Sequence, residues 1–181
     1  MAQQLEKIYL GGGCFWCTEA VFQSLSGVER VVSGYTGGTI KNPSYREVCM
    51  GTTGHAEVIE VSYDPLVIDV RIILEVFWTT HDPTTLNRQG ADKGTQYRSA
   101  IFCTSTSQLQ IPDEMKKTFA SRIRDKPIVT ETAKIDVLYA AEEYHQNYFN
   151  QNGEAAYCQI IINPKLQKFR KQYSALLKPI K

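Results

Sequence analysis

Two cysteines separated by two large aromatics stand near the start of the chain, in Gly11-Gly12-Gly13-Cys14-Phe15-Trp16-Cys17. Residues of this type at this spacing could do thiol chemistry. A short apolar stretch, Lys7-Ile8-Tyr9-Leu10, reads as a strand before them. Residues 18–25 read as a helix after them, closed by Ser26-Gly27. The cysteines therefore lie where a strand hands over to a helix N-terminus, whose free N–H groups favour negative charge and so a thiolate. Cys14 is the sharper of the two, because three glycines before it let the backbone turn tightly and leave its sulfur open. Three positions apart, Cys14 and Cys17 share one face of a first helical turn. Phe15 and Trp16 suggest that the site also binds something apolar. Two buried small hydrophobes would be the bland reading of the pair; a CxxC after a glycine run favours redox or nucleophilic work.

A carboxylate is the second clue. In the strand 56–63, alternation puts Glu57 on the side of Ile59, Val61 and Tyr63, with Glu60 and Ser62 on the other. A carboxylate at the end of an apolar face is partly desolvated, which raises its pKa and keeps a proton available near neutrality, as a general acid requires. The competing picture is an edge glutamate that reaches water past Gly54-His55, and Val58 spoils the alternation enough to leave both open. Tyr45, Asp92 and Tyr97 fall in loops or at element ends, but with ten tyrosines in the chain, pattern alone does not select them. His55, His81 and His145 show no metal-ligand spacing and read as local hydrogen-bonding residues. Cys49 and Cys103 look structural. Cys158 follows the Asn152-Gly153 turn and is either an exposed, movable thiol or a buried strand residue before Ile160-Ile161-Ile162.

The elements that must position these residues belong to a chain of 181 residues, 43% hydrophobic and 22% charged, which suits one globular domain spanning 1–181 with a full core. The 20 basic and 19 acidic residues nearly balance, so nothing points to nucleic acid or to an acidic tether. No apolar run is long enough for a membrane span, and the N-terminal residues lack a signal-peptide pattern. The expectation is a cytoplasmic protein with resting thiols reduced. Five scattered cysteines make a poor disulfide framework, and one CxxC without further Cys or His partners makes a poor zinc site.

Along the chain, strands are predicted at 28–35, 56–63, 98–103 and 134–139, and helices at 44–50, 70–80, 113–124, 142–150 and 165–177. Asp69 is the expected N-cap of the 70–80 helix, with Ile73, Val76 and Phe77 facing the core. Residues 81–97 form a long polar stretch, and a loop of that length inside a compact domain is usually functional. The irregular alternation of strands and helices predicts α+β: a two-layer sandwich of a mixed, mainly antiparallel sheet with helices packed on it, with a ferredoxin-like-type core.

Taken together, the chain resembles the A-type methionine sulfoxide reductases, the peptide-methionine (S)-S-oxide reductase family. The matching segments are Gly13-Cys14-Phe15-Trp16, Gly34-Tyr35, Asn42 to Cys49, Gly54-His55-Ala56-Glu57, Tyr63-Asp64-Pro65, His81-Asp82-Pro83-Thr84, Asp92 to Ser99 and Glu143 to Tyr148. They span residues 5 to 165 in order. The resemblance implies that Cys14 attacks the sulfoxide sulfur while Glu57 protonates the oxygen. Tyr45 and Tyr97 would hydrogen-bond that oxygen, and Asp92 would organise the polar pocket. Phe15 and Trp16 would cage the S-methyl group and favour the S epimer. Cys14 would be left as a sulfenic acid, resolved by a second cysteine and recycled by thioredoxin, or by dithiothreitol in vitro, with no metal and no organic cofactor. Substrates would be oxidised proteins or free methionine sulfoxide, and the enzyme a monomer. Many members have Gly where this chain has Cys17. Cys158 matches the first C-terminal resolving position of the family, in a segment from about residue 150 that would move to deliver it, and no cysteine follows it. Resolution by Cys158 is favoured on resemblance, and Cys17 stays open. A thioredoxin-like dithiol oxidoreductase would also use CxxC, but it has no use for the Gly-Gly-Gly run or the Gly-His-Ala-Glu strand. A metal-binding module would need ligands that the sequence does not supply.

Overall fold

The computed structural model describes residues 3–179. In chain order its regular elements are β1 (Glu6–Gly11), α1 (Phe15–Gln23), β2 (Val28–Thr36), α2 (Tyr45–Cys49), β3 (Ala56–Tyr63), α3 (Val70–Thr80), β4 (Arg88–Gln89) and β5 (Asp92–Lys93). They continue with β6 (Ala100–Cys103), α4 (Thr106–Thr118), β7 (Glu131–Lys134), β8 (Tyr139–Ala140), α5 (Tyr148–Gln151) and α6 (Asn163–Gln172). Six strands form one sheet in the order β7-β6-β1-β3-β2-β8. Only β6 and β7 run parallel; the other neighbours are antiparallel. The fold is thus α+β on a mixed, mainly antiparallel sheet. β4 and β5 form a separate small hairpin inside the 81–97 stretch.

β3 lies in the middle of the sheet and is buried along its whole length. One face carries the main core, where Ile59, Val61 and Tyr63 meet residues of α1, α3 and α6 such as Phe22, Phe77 and Phe169. The opposite face is a smaller cluster of Tyr9, Ala56, Val58, Ala100 and Phe102, covered by Ala133, Ile135 and Leu138. Val58 therefore does not break the alternation; it packs on the second face. α1 is apolar nearly all round because it is enclosed nearly all round. Its one buried carboxylate, Glu19, accepts the Ser33 hydroxyl at 3.1 Å and the Tyr148 backbone N–H at 3.0 Å, as a buried charge requires. α3 begins as expected, with the Asp69 side chain accepting from Arg71 N at 2.7 Å and Ile73, Val76 and Phe77 buried.

Four predicted elements are corrected. The helix placed at 113–124 starts earlier: Ser105 caps α4 and Pro112 lies inside it, followed by a short 3-10 turn at Ala120–Arg122. The strand placed at 134–139 is two short strands, β7 and β8, because the chain between them crosses the second face of the sheet. The helix placed at 142–150 is broken by Asn147 in the left-handed region (φ 54°) into a 3-10 turn and α5. The last helix is preceded by a π-helical turn at Cys158–Ile162 and ends at Gln172, with a 3-10 turn at Ser174–Leu176. The tail beyond it returns to the end of α1, where Leu176 O accepts from Ser26 N at 2.8 Å.

Candidate active site at the start of α1

Cys14 is the N-cap of α1, with extended backbone (φ −59°, ψ 126°), so Phe15, Trp16 and Cys17 form the first helical turn. Gly13 before it holds φ +91°, and a Cβ there would meet the Gln89 side chain at 2.7 Å; glycine is what allows this turn. Cys14 is partly exposed. The helix N-terminus does not win the electrostatic balance expected from the sequence. Desolvation and the adjacent Glu57 carboxylate push the Cys14 thiol well above its ordinary value, against the Trp16 N–H and the Tyr157 hydroxyl. The resting residue is a thiol.

Glu57 stands on β3 opposite Tyr35 of β2 and is 2% exposed. Its Oε1 accepts the backbone N–H of Phe15 at 3.1 Å, which fixes the carboxyl beside Cys14. Burial, with a contribution from the Asp92 charge, raises its pKa to about 8 even though the Phe15 N–H opposes the rise. The central position of β3 explains this: an edge strand would have let water reach the carboxyl. At neutral pH the group holds a proton.

Aromatic rings build the wall. Trp16 stacks on Tyr148 with centroids 3.7 Å apart and an interplanar angle of 6°. Its indole Nε1–H donates to His145 Nδ1 at 3.0 Å. Phe15 packs against Tyr35, Tyr45 and His145. His145 is fully buried, and burial lowers its pKa. The bond from Trp16 places the remaining proton on Nε2, which has no protein partner among the described residues. Glu142 ties the wall to the sheet, accepting the Tyr35 hydroxyl and the Tyr45 backbone N–H, both at 3.0 Å.

Three loop residues predicted from the resemblance converge here. Tyr45 is the first residue of α2, behind a complete capping box made by Ser44 and Glu47. Tyr97 ends a 3-10 turn that follows Gly94, and the Arg98 guanidinium braces that turn on Thr95 O at 2.9 Å and on Glu131 at 2.8 Å. Burial raises both phenols first, and the nearby Glu57 adds to each, so both hydroxyls are donors. Asp92, on β5, accepts from the Tyr157 hydroxyl at 3.3 Å, and that same hydroxyl lies 3.7 Å from Cys17 Sγ.

A cavity of about 190 Å³ opens on Cys14, Cys17, Asp92, Tyr157 and Lys165. A larger groove, about 550 Å³, lies at the opposite end of β1 around Glu6, Lys7 and Tyr63 and contains none of these residues. Cys17 is buried; burial raises its thiol, while Lys165 and Tyr157 pull it back. Cys158 is not exposed but 0% accessible, in the π-helical turn rather than in a strand. Ile160 and Ile161 beyond it point to solvent. Cys103 is buried as expected, but Cys49 is exposed at the end of α2. His81 is held by Phe77 O at 2.5 Å and Ser99 Oγ at 2.8 Å, and His55 by Gly38 N and Ile40 O. Among the described residues, no cluster of three or more His, Cys, Asp or Glu side chains could hold a metal ion. Glu19, Glu142, Tyr157 and Lys165 escaped the sequence reading. For the last three, the one signal was the density of aromatic and polar types between 142 and 165.

The model of the peptide methionine sulfoxide reductase family matches residues 6–177. A peptide methionine sulfoxide reductase of Chromobacterium violaceum is 53% identical over 174 residues, covering 96% of this chain and 99% of its own. The structure of methionine sulfoxide reductase A of Corynebacterium diphtheriae superimposes with a TM-score of 0.76 at 36% identity, covering 83% of this chain and 76% of that one. Mxr1 from Saccharomyces cerevisiae, solved in complex with Trx2, gives a TM-score of 0.53 at 25% identity, covering 82% and 87%.

Proposed function

Since the chain belongs to the peptide methionine sulfoxide reductase family, whose activity is the thiol-dependent reduction of methionine sulfoxide to methionine, we propose that Cys14 attacks the sulfoxide sulfur while Glu57 protonates the departing oxygen. The observation that carries this reading is the Glu57 carboxyl, buried, raised to about pH 8 and tied by Phe15 N to the turn that bears Cys14. A sulfoxide oxygen leaves sulfur poorly unless it is protonated. A carboxyl that keeps its proton at neutral pH supplies that proton without needing acid solvent. Tyr45 and Tyr97 donate to the oxygen as it gains charge. Phe15 and Trp16 surround the S-methyl group, and this one-sided apolar wall selects the S epimer.

The atoms balance within the pair. The Cys14 sulfur gains the oxygen and becomes a sulfenic acid, and the sulfoxide sulfur is reduced to the thioether. The thiol proton of Cys14 replaces the one that Glu57 gave. Both groups hold a proton in the resting site, so the step begins from thiol and carboxylic acid and ends with the carboxylic acid restored. A second thiol, Cys17 or Cys158, condenses with the sulfenic acid to a disulfide. Thioredoxin then reduces the disulfide, a reading supported by the Mxr1–Trx2 complex. On this reading 1–181 is a single catalytic domain with a movable C-terminal segment. It works as a cytoplasmic monomer that repairs oxidised proteins and takes free methionine sulfoxide, with no resident cofactor. No described helix is long and apolar enough to cross a membrane.

The test is dithiothreitol-driven reduction of a methionine S-sulfoxide substrate. Wild-type protein releases methionine, and Cys14→Ser abolishes release. Unchanged turnover in Cys14→Ser would overturn the assignment of the nucleophile.

A further inference from the structure

We propose that Cys17, not Cys158, resolves the Cys14 sulfenic acid, and that the Tyr157 hydroxyl carries the proton of that step; the inference rests on the reductase reading above. Cys14 and Cys17 line one cavity, and Cys158 is not among the residues that line it. Cys158 is fully buried in the core, behind the turn it starts. Cys17 is at the third position of α1, and its N–H already bonds to Cys14 O at 3.1 Å. Side chains three apart on a helix have Cβ atoms roughly 5–6 Å apart, whereas a disulfide needs about 3.5–4.5 Å. The two Cβ atoms must close by roughly 1–2 Å. Cys14 can provide that movement, because it lies outside helical geometry and makes no side-chain cap bond.

The surroundings of Cys17 suit a resolving thiol. The Lys165 ammonium, on the same cavity, draws its thiol toward the thiolate. The Tyr157 hydroxyl lies 3.7 Å from Cys17 Sγ and donates to Asp92 at 3.3 Å, and its field reaches Cys14 as well. In the step itself the Cys17 sulfur attacks the Cys14 sulfur, the S–S bond forms and the S–O bond breaks. The Cys17 proton passes to the Tyr157 oxygen as the Tyr157 proton passes to the departing hydroxide. The products are the 14–17 disulfide, one water and an unchanged tyrosine. No external reactant enters, since both oxidising equivalents come from the sulfenic acid.

The experiment is one turnover of full-length protein with excess methionine S-sulfoxide and no reductant, followed by acid quench, alkylation and disulfide mapping. Wild type and Cys158→Ser are both expected to give a Cys14–Cys17 linked peptide. Cys17→Ser is expected to give a dimedone-trappable sulfenic acid on Cys14. Tyr157→Phe should slow the disappearance of that sulfenic acid at least ten-fold. A Cys14–Cys158 link in wild type, formed as fast in Cys17→Ser, would overturn the proposal while leaving the reductase reading intact. Failure of wild type to release methionine in the same experiment would instead overturn the reductase reading. Should Cys17→Ser not fold, the link found in Cys158→Ser decides alone.

Discussion

Cys14 and Glu57 are each held on the protonated side by burial; the Glu57 charge adds to the rise at Cys14, and the Asp92 charge to the rise at Glu57. Two N–H groups of the helix N-terminus oppose this, Trp16 N–H acting on the thiol and Phe15 N–H bonded to the carboxyl, and neither reverses the sign. Cys14 stands out through a short-range pattern, a glycine run before a CxxC; for Glu57 the strand pattern left an edge glutamate equally open, and the resemblance of Gly54-His55-Ala56-Glu57 singled it out. His145 was not legible as a wall residue, since its importance lies in a bond to Trp16, 129 positions away. That bond makes a prediction. His145→Ala frees the indole, and a lost hydrogen bond of about 0.5–1.5 kcal/mol should raise KM for methionine sulfoxide by roughly two- to ten-fold, with a smaller effect on kcat. Steady-state kinetics with dithiothreitol checks this; a fall in kcat alone would show that the bond does not serve substrate binding.

The elements divide by how their boundaries are set. β3 and α3 were read residue for residue, because the turn signals Gly54-His55 and Asp64-Pro65 bound the first and the Asp69 cap the second. α4 was misplaced because Pro112 looks like a first helical residue, yet the start is fixed by Ser105, whose hydroxyl accepts from Gln108 N at 3.1 Å. The 142–150 segment has helical composition, but its side chains are committed to distant backbone: Gln146 pairs with both N and O of Ser33 at 2.9 Å. Such tertiary bonds outweigh propensity and leave no periodic trace. The short helix α2 offers the clearest test at this scale. Ser44→Ala removes the capping box that places Tyr45, at a cost of about 1 kcal/mol. Thermal unfolding should show the lost stability, and single-turnover rates should fall because Tyr45 loses its seat. A rate equal to wild type would mean that Tyr45 does not need α2.

Over the whole molecule, Glu57 is a liability that its proposed role as the acid would explain. Its folded-state pKa, about 8, lies above the ordinary 4.5. The sign follows from linkage: below pH 4.5 the carboxyl is neutral folded or unfolded and costs nothing. Between 4.5 and about 8 the unfolded chain ionises while the folded one does not, and stability is lost progressively. Glu57→Gln, which can still accept from Phe15 N, should therefore stabilise the protein at pH 7 by on the order of 3 kcal/mol, with the gain vanishing near pH 4. Denaturant unfolding at the two pH values checks this, and equal stability at pH 7 would refute a neutral buried carboxyl. The same residue gives the most direct test of the central claim, that Glu57 is the acid for Cys14. First-turnover methionine release by the wild type should hold to near pH 8 and fall above it as Glu57 loses its proton. Glu57→Gln should lack that limb and run roughly 10²–10⁴-fold slower. A Glu57→Gln rate equal to wild type, with the same fall above pH 8, would contradict the account.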